Sequence, residues 1–172
     1  MTKARRIGAL VLALGAGVSL AACSSHPGSA AVVDGRSIPP SDIREVQAEV
    51  GKYLQSSTTP TVLTMLVQEK AVIDFAAAHG VGASEEDGDK LLASVSEQSG
   101  EKGVTFSDAS RGVAQYSIAY SNIDGLQDEK VTAELDKMLK DLKVKVNPRF
   151  GSGTTAERVS EPTPWPWIVA AK

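Results

Sequence analysis

Residues 59–80, TPTVLTMLVQEKAVIDFAAAHG, decide the fold. Thr59 offers a helix cap and Pro60 suits the first turn, where a missing N–H costs nothing. Val62, Met65, Leu66, Ile73 and Phe75 follow, and His79-Gly80 supplies the stop. Apart from Gln68-Glu69-Lys70 and Asp74 the run is apolar on every side, so it predicts a helix at the centre of a helical core.

The flanking segments predict four further helices. Ser41 and Asp42 open one whose apolar positions are Ile43, Val46, Val50 and Tyr53, three and four residues apart. Ser84, with Glu85, Glu86 and Asp87 in the first turn, opens another that buries Leu91, Leu92 and Val95. Ser107 opens the fourth, with Val113, Tyr116, Tyr120 and Ile123 on one face and Gly125 at its end. The fifth, over 126–142, buries Val131, Leu135, Met138 and Leu142.

Short strands bracket these helices. Ala31-Val32-Val33, the turn dipeptide Asp34-Gly35 and Arg36-Ser37-Ile38 predict a hairpin that Pro39-Pro40 ends. Lys143-Val144-Lys145-Val146 alternates with period two, so Val144 and Val146 face inward. Neither strand is stable alone, and pairing of 144–146 with 31–33 would tie the two ends together. The fold class expected is mainly α: orthogonally packed helices, with a small two- or three-stranded β element joining the N- and C-terminal ends.

At the N-terminus, Lys3, Arg5 and Arg6 precede 16 uncharged residues, 7–22, and Leu20-Ala21-Ala22-Cys23 follows. The run is shorter than the roughly 20 residues of a spanning helix and has the plan of an export signal. Leu-Ala-Ala-Cys resembles the lipobox of bacterial lipoprotein precursors. That resemblance implies cleavage before Cys23, a fatty-acyl (palmitate-type) anchor on Cys23, and a place on the extracytoplasmic face of the cell membrane. The organisation expected is a signal peptide over 1–22, a tether over 23–29, a helical domain over 30–151 and a tail over 152–172.

The charge balance then changes. Three of the 18 Lys and Arg precede residue 23 and none of the 21 acids does, so residues 23–172 carry a net −6. That excess of acid argues against nucleic-acid binding, which requires cations to displace phosphate counterions. A sole Cys committed to lipid leaves no disulfide and no thiol nucleophile.

Few residues suggest chemistry. His26 and His79 are far apart with no free Cys, which gives no zinc-site spacing. No serine stands in a G-x-S-x-G elbow. Glu85-Glu86-Asp87-Gly88-Asp89 lacks the calcium-loop acids, having Ala83 and Ser94 at the terminal positions, and reads as acids complementing a helix dipole. Gly80-Val81-Gly82 fails as a nucleotide loop, because Glu85 replaces the third glycine and no strand precedes it. No catalytic residue, metal or cofactor is implied. Lys137, Lys140, Lys143 and Lys145 form a basic stripe, either a solvated face or a surface for anionic headgroups near the anchor. Residues 151–172 differ in composition, with Pro162, Pro164 and Pro166 and both tryptophans, Trp165 and Trp167. Such a tail is suited to dock, over its own domain, on a partner or at a membrane interface, or to stay disordered.

The order of these elements resembles the N-terminal domain of SurA- and PrsA-type extracytoplasmic chaperones over roughly residues 30–151. The likeness is carried by Ala31-Val32-Val33-Asp34-Gly35 and Ile38 before a helix, by Val62 to Val81 leading into Ser84-Glu85-Glu86, and by Val144 to Gly151. It implies a helical domain that cradles unfolded or extended polypeptide at the membrane surface. The parvulin isomerase domain common in such chaperones finds no room in the remaining 21 residues, so isomerase activity is not implied. Met65, Phe75, Tyr116, Tyr120 and Met138 are the candidate peptide-contacting residues, although plain core is the simpler reading of each. Trp165 and Trp167 are the candidate docking residues of the tail. The alternative function is that of a structural or assembly lipoprotein binding one dedicated cell-envelope partner.

Overall fold

In the computed structural model, which describes residues 28–163, the chain begins with a hairpin: β1 (Ala31–Val33) and β2 (Arg36–Ile38). Asp34 and Gly35 both take positive φ, 45° and 84°, so the two-residue turn has the twist that antiparallel strands favour. The strand β3 (Val144–Val146) pairs antiparallel with the other side of β1, giving the order β2-β1-β3. In register, Ala31 faces Ile38 and Val146, while Val33 faces Arg36 and Val144. The expected pairing of 144–146 with 31–33 thus holds residues more than 100 positions apart, and Ala31, Val33, Ile38 and Val144 are buried beneath the sheet.

Five α-helices lie between β2 and β3: α1 (Pro40–Glu49), α2 (Thr59–Ala78), α3 (Glu85–Gln98), α4 (Asp108–Gly125) and α5 (Glu129–Asp141). The fold is mainly α with a three-stranded antiparallel sheet. As expected, α2 is central and touches α1, α4, α5 and β1. Val62, Leu63, Leu66, Val67, Val72 and Ala76 are nearly inaccessible to solvent, and full burial of a Leu or Val contributes about 1.5–3 kcal/mol. The 23 buried apolar side chains of the described residues all fall between Ala30 and Val159.

Helix starts follow local chemistry, with small shifts. Ser84 accepts from the backbone of Asp87, whose carboxylate accepts from the Ser84 N–H at 2.9 Å, a reciprocal capping box. Ser107 caps α4 through the Ser110 N–H. Thr58, rather than Thr59, caps α2 by accepting from Thr61. Ser41 is no cap: α1 starts at Pro40 after an extended Pro39, and the Ser41 hydroxyl donates to Asp42. Two successive prolines preset the backbone there and remove N–H groups that a cap would satisfy. α5 starts at Glu129, three residues later than expected, because Gln127 is at φ 50° and Asp128 supplies the cap. Tyr53 lies in a 3-10 turn, Gly51–Tyr53, beyond α1. Leu91, expected in the core, is exposed at 36%, and Ser96 takes the buried place one turn beyond Leu92.

One polar contact joins α1 to α4. Glu49, in the last turn of α1, accepts from the Ser107 N–H at 2.8 Å and from the Ser107 hydroxyl at 2.9 Å. Burial acts to raise the Glu49 pKa, but the hydroxyls of Ser110 and Ser107 and the Ser107 backbone outweigh it, so the net shift is downward. A carboxylate with a lowered folded-state pKa stabilises the fold above its unfolded value, and that contribution is lost as pH falls through the folded-state value. Stability is therefore expected to drop in the acid range below the usual Glu value of 4.5. In Glu49→Gln part of this drop should vanish; chemical denaturation from neutral to acidic pH checks it, and an unchanged acid slope would contradict it.

Candidate functional site

The five candidate peptide-contacting residues do not line one groove. Met65 and Tyr116 line a cavity of about 400 Å³ between the first turns of α2, α4 and residues 158–161. Phe75 and Met138 line a second depression of about 400 Å³, formed with Val33, Val67, Ala71 and Leu142. Tyr120 borders neither; it is 46% exposed, its ring tilted against that of Tyr116 with centroids 5.9 Å apart. Its exposure departs from the buried stripe expected for α4. Cys23, Trp165 and Trp167 lie outside the described residues.

The first cavity is closed on one side by the protein's own chain. After β3, residues 151–161 run back along α2 and α5 as a strap whose ends pair at Ser152 and Ser160. Ala156 and Val159 are buried in the same core as the helices. A side chain at Gly151 would meet the Ser160 carbonyl at 2.8 Å and crowd Val159, so the strap can close there only on glycine. The compositional division at residue 151 therefore does not mark a break in packing.

Gln68, which is 5% exposed, fastens the strap. Its amide donates to the carbonyls of Ala156 at 2.6 Å and Glu157 at 3.1 Å, and its Oε1 accepts from the Tyr116 hydroxyl at 2.7 Å. Thr64 adds an acceptor for the Val159 N–H at 2.9 Å, and the Leu139 carbonyl accepts from the Ala156 N–H at 3.2 Å. Burial first, and the neighbouring Tyr120 second, push the Tyr116 pKa up to about 12. Its hydroxyl thus remains a neutral donor. Gln68 and Thr64 are not among the residues singled out from the sequence, although polar side chains in an otherwise apolar helix were the available signal.

The second depression has an apolar floor and a rim of both charges. Phe75 is held by stacking on His79, with ring centroids 4.1 Å apart, and His79 Nδ1 contacts the Phe75 carbonyl at 2.9 Å. Glu134 of α5 lies 3.4 Å from His79 Nε2. Arg36 reaches in from β2 and donates to the Leu66 carbonyl at 2.9 Å, with Glu69 at 3.6 Å. Lys70 and Asp74 pair at 2.7 Å on the rim, which Asp34 completes. Arg36, not singled out from the sequence, turns out to hold the hairpin onto α2.

A third, polar cleft is lined by Glu69, Glu85, Asp108, Arg111, Gly112 and Gln115. Its cation is already engaged: Arg111 donates to both oxygens of Asp89, at 2.7 and 2.9 Å, joining α4 to α3. That pairing lowers the Asp89 pKa. Burial raises the Glu69 pKa against the pull of Arg36. Among the described residues no three His, Cys, Asp or Glu side chains are grouped to hold a metal ion, and no helix is long and apolar enough to cross a membrane. Comparison with protein-family models, with curated proteins and with solved structures returned no match, so the reading of function rests on this chain's own geometry.

Proposed function

We propose that the protein is anchored by lipid at Cys23 on the extracytoplasmic face of the membrane and binds unfolded or extended polypeptide, without isomerase chemistry. The observation that carries the binding reading is the depression between β1, α2 and α5. Its floor of Val67, Ala71, Phe75, Met138 and Leu142 is apolar, and its rim of Asp34, Arg36, Lys70 and Asp74 offers both signs of charge. A volume of about 400 Å³ lies in the range of small binding pockets and suits one or two apolar side chains of a passing chain. Met138 is unbranched and polarizable, which lets one surface accept side chains of different shape. The Met65–Tyr116 cavity serves this reading less well, because the strap forms one of its walls.

The test is suppression of aggregation. The chain from Ser24 to Lys172 contains the entire described core, and at stoichiometric ratio it should slow aggregation of two unrelated, chemically unfolded proteins. Ala71→Asp, which places a charge on the floor of the depression, should abolish most of that protection. No protection of either client, with a single envelope protein recovered in stoichiometric amount from membranes, would overturn the reading in favour of a dedicated partner.

A further inference from the structure

The first described residues lie beside a basic edge of the domain. Asn147, just beyond β3, donates its backbone N–H to the Ala30 carbonyl at 2.9 Å and its side-chain amide to the Ser29 carbonyl at 3.1 Å. Residues 28–30 are therefore fixed next to 147. The register places Lys145 opposite Val32, on the face of the sheet away from the core. Arg149 follows two residues after Asn147 and is exposed, its N–H donating to Asn147 Oδ1 at 3.1 Å. Lys143, also exposed, lies at the other end of β3, near Asp34.

The charge of this edge opposes that of the protein. Residues 28–33 and 142–156 contain no Asp or Glu and carry Lys143, Lys145 and Arg149. The Asp34 carboxylate accepts from the Lys143 N–H at 3.2 Å and offsets one of these charges, so the edge remains net positive although residues 23–172 as a whole are at −6. Among the described residues, none of these three cations forms an ion pair. The sequence stripe of four lysines is divided by the structure. Lys140 pairs with Glu157 at 3.4 Å, and Lys137 sits on α5 among acids. Cys23 precedes Gly28 by five residues, a span of at most about 17 Å. An anchor at Cys23 would thus keep this edge within reach of the headgroup layer, where surface attraction extends about 8–10 Å.

We propose that the edge carrying Lys143, Lys145 and Arg149 lies against anionic lipid headgroups. It would set which side of the domain faces the bilayer and leave the depression on α2 and α5 to the polypeptide. The proposal rests on the anchoring of Cys23, and its test is made without the anchor so that the two can fail separately.

The chain from Ser24 to Lys172 is sedimented with vesicles of phosphatidylcholine alone and with equal parts phosphatidylcholine and phosphatidylglycerol. Binding should occur to the mixed vesicles only and fade as salt is raised. Each cation near such a surface contributes about 5-fold in affinity, so Lys143→Gln, Lys145→Gln and Arg149→Gln together should cost on the order of 100-fold. Lys90→Gln, Lys102→Gln and Lys130→Gln together make the same change of net charge elsewhere and should cost far less. Equal binding to both vesicle types, or equal losses from the two triple variants, would overturn the proposal. Loss of Cys23 anchoring in cells, with vesicle binding intact, would count against the anchor and not against this edge.

Discussion

Cys23→Ala is expected to move the protein from the membrane fraction to the soluble fraction outside the cytoplasm, or to leave an uncleaved precursor. Buried acyl methylenes contribute about 0.8 kcal/mol each, so one chain holds weakly and two hold for long times. No helix among the described residues is long and apolar enough to take over that role. The basic edge supplies only a few weak, salt-sensitive contacts, which a high-salt wash removes. Fractionation followed by a carbonate wash is the measurement. Retention of Cys23→Ala in washed membranes after removal of residues 1–22 would contradict the lipid anchor.

The second large effect is expected at Gln68. Gln68→Leu keeps the volume but removes the donor to Ala156 and Glu157 and the acceptor for Tyr116. Each buried polar group left without a partner costs about 1–3 kcal/mol, so a loss of roughly 3 kcal/mol and a fall in Tm of about 10 °C are expected. The strap should also become the first site of proteolysis, between residues 151 and 161. Tyr116→Phe should cost about 1 kcal/mol, and the double variant should lose less than the two single losses combined, because both share one hydrogen bond. Additive losses, or a stable Gln68→Leu with a protected strap, would show that the network does not hold the strap.

Much of the fold was legible in residue order. Period-two and period-3.6 patterns located the three strands and five helices, and the Asp34-Gly35 turn and the Ser84 and Ser107 caps followed from side-chain chemistry. The misplaced starts had local causes that patterns miss. Two prolines stood in for a cap at α1, and a positive φ at Gln127 delayed α5. The strap was illegible because Ala156 and Val159 are isolated apolar residues among Gly, Ser and Thr, without a period to betray burial. Its partners could have been read, since Gln68 and Thr64 interrupt the apolar run of α2 and each accepts or donates to it.

For the candidate site, helix arithmetic held the answer in part. Met65 and Phe75 are ten residues apart, about 80° around a helix of 3.6 residues per turn, so they point to different sides of α2. The structure accordingly assigns them to separate depressions. Which of the two is walled by the strap depends on contacts between α2 and residues nearly 90 positions later, and no local pattern encodes those.

Polypeptide binding is tested most simply with a library of fluorescent, unstructured peptides, added to the chain from Ser24 to Lys172 and to its Ala71→Asp and Met138→Asp variants. Saturable binding of many unrelated apolar peptides is expected, weakened about 10-fold or more by either substitution, with the helical circular dichroism of both variants unchanged. Absence of binding across the library, or binding that both variants retain in full, would contradict a polypeptide site between β1, α2 and α5.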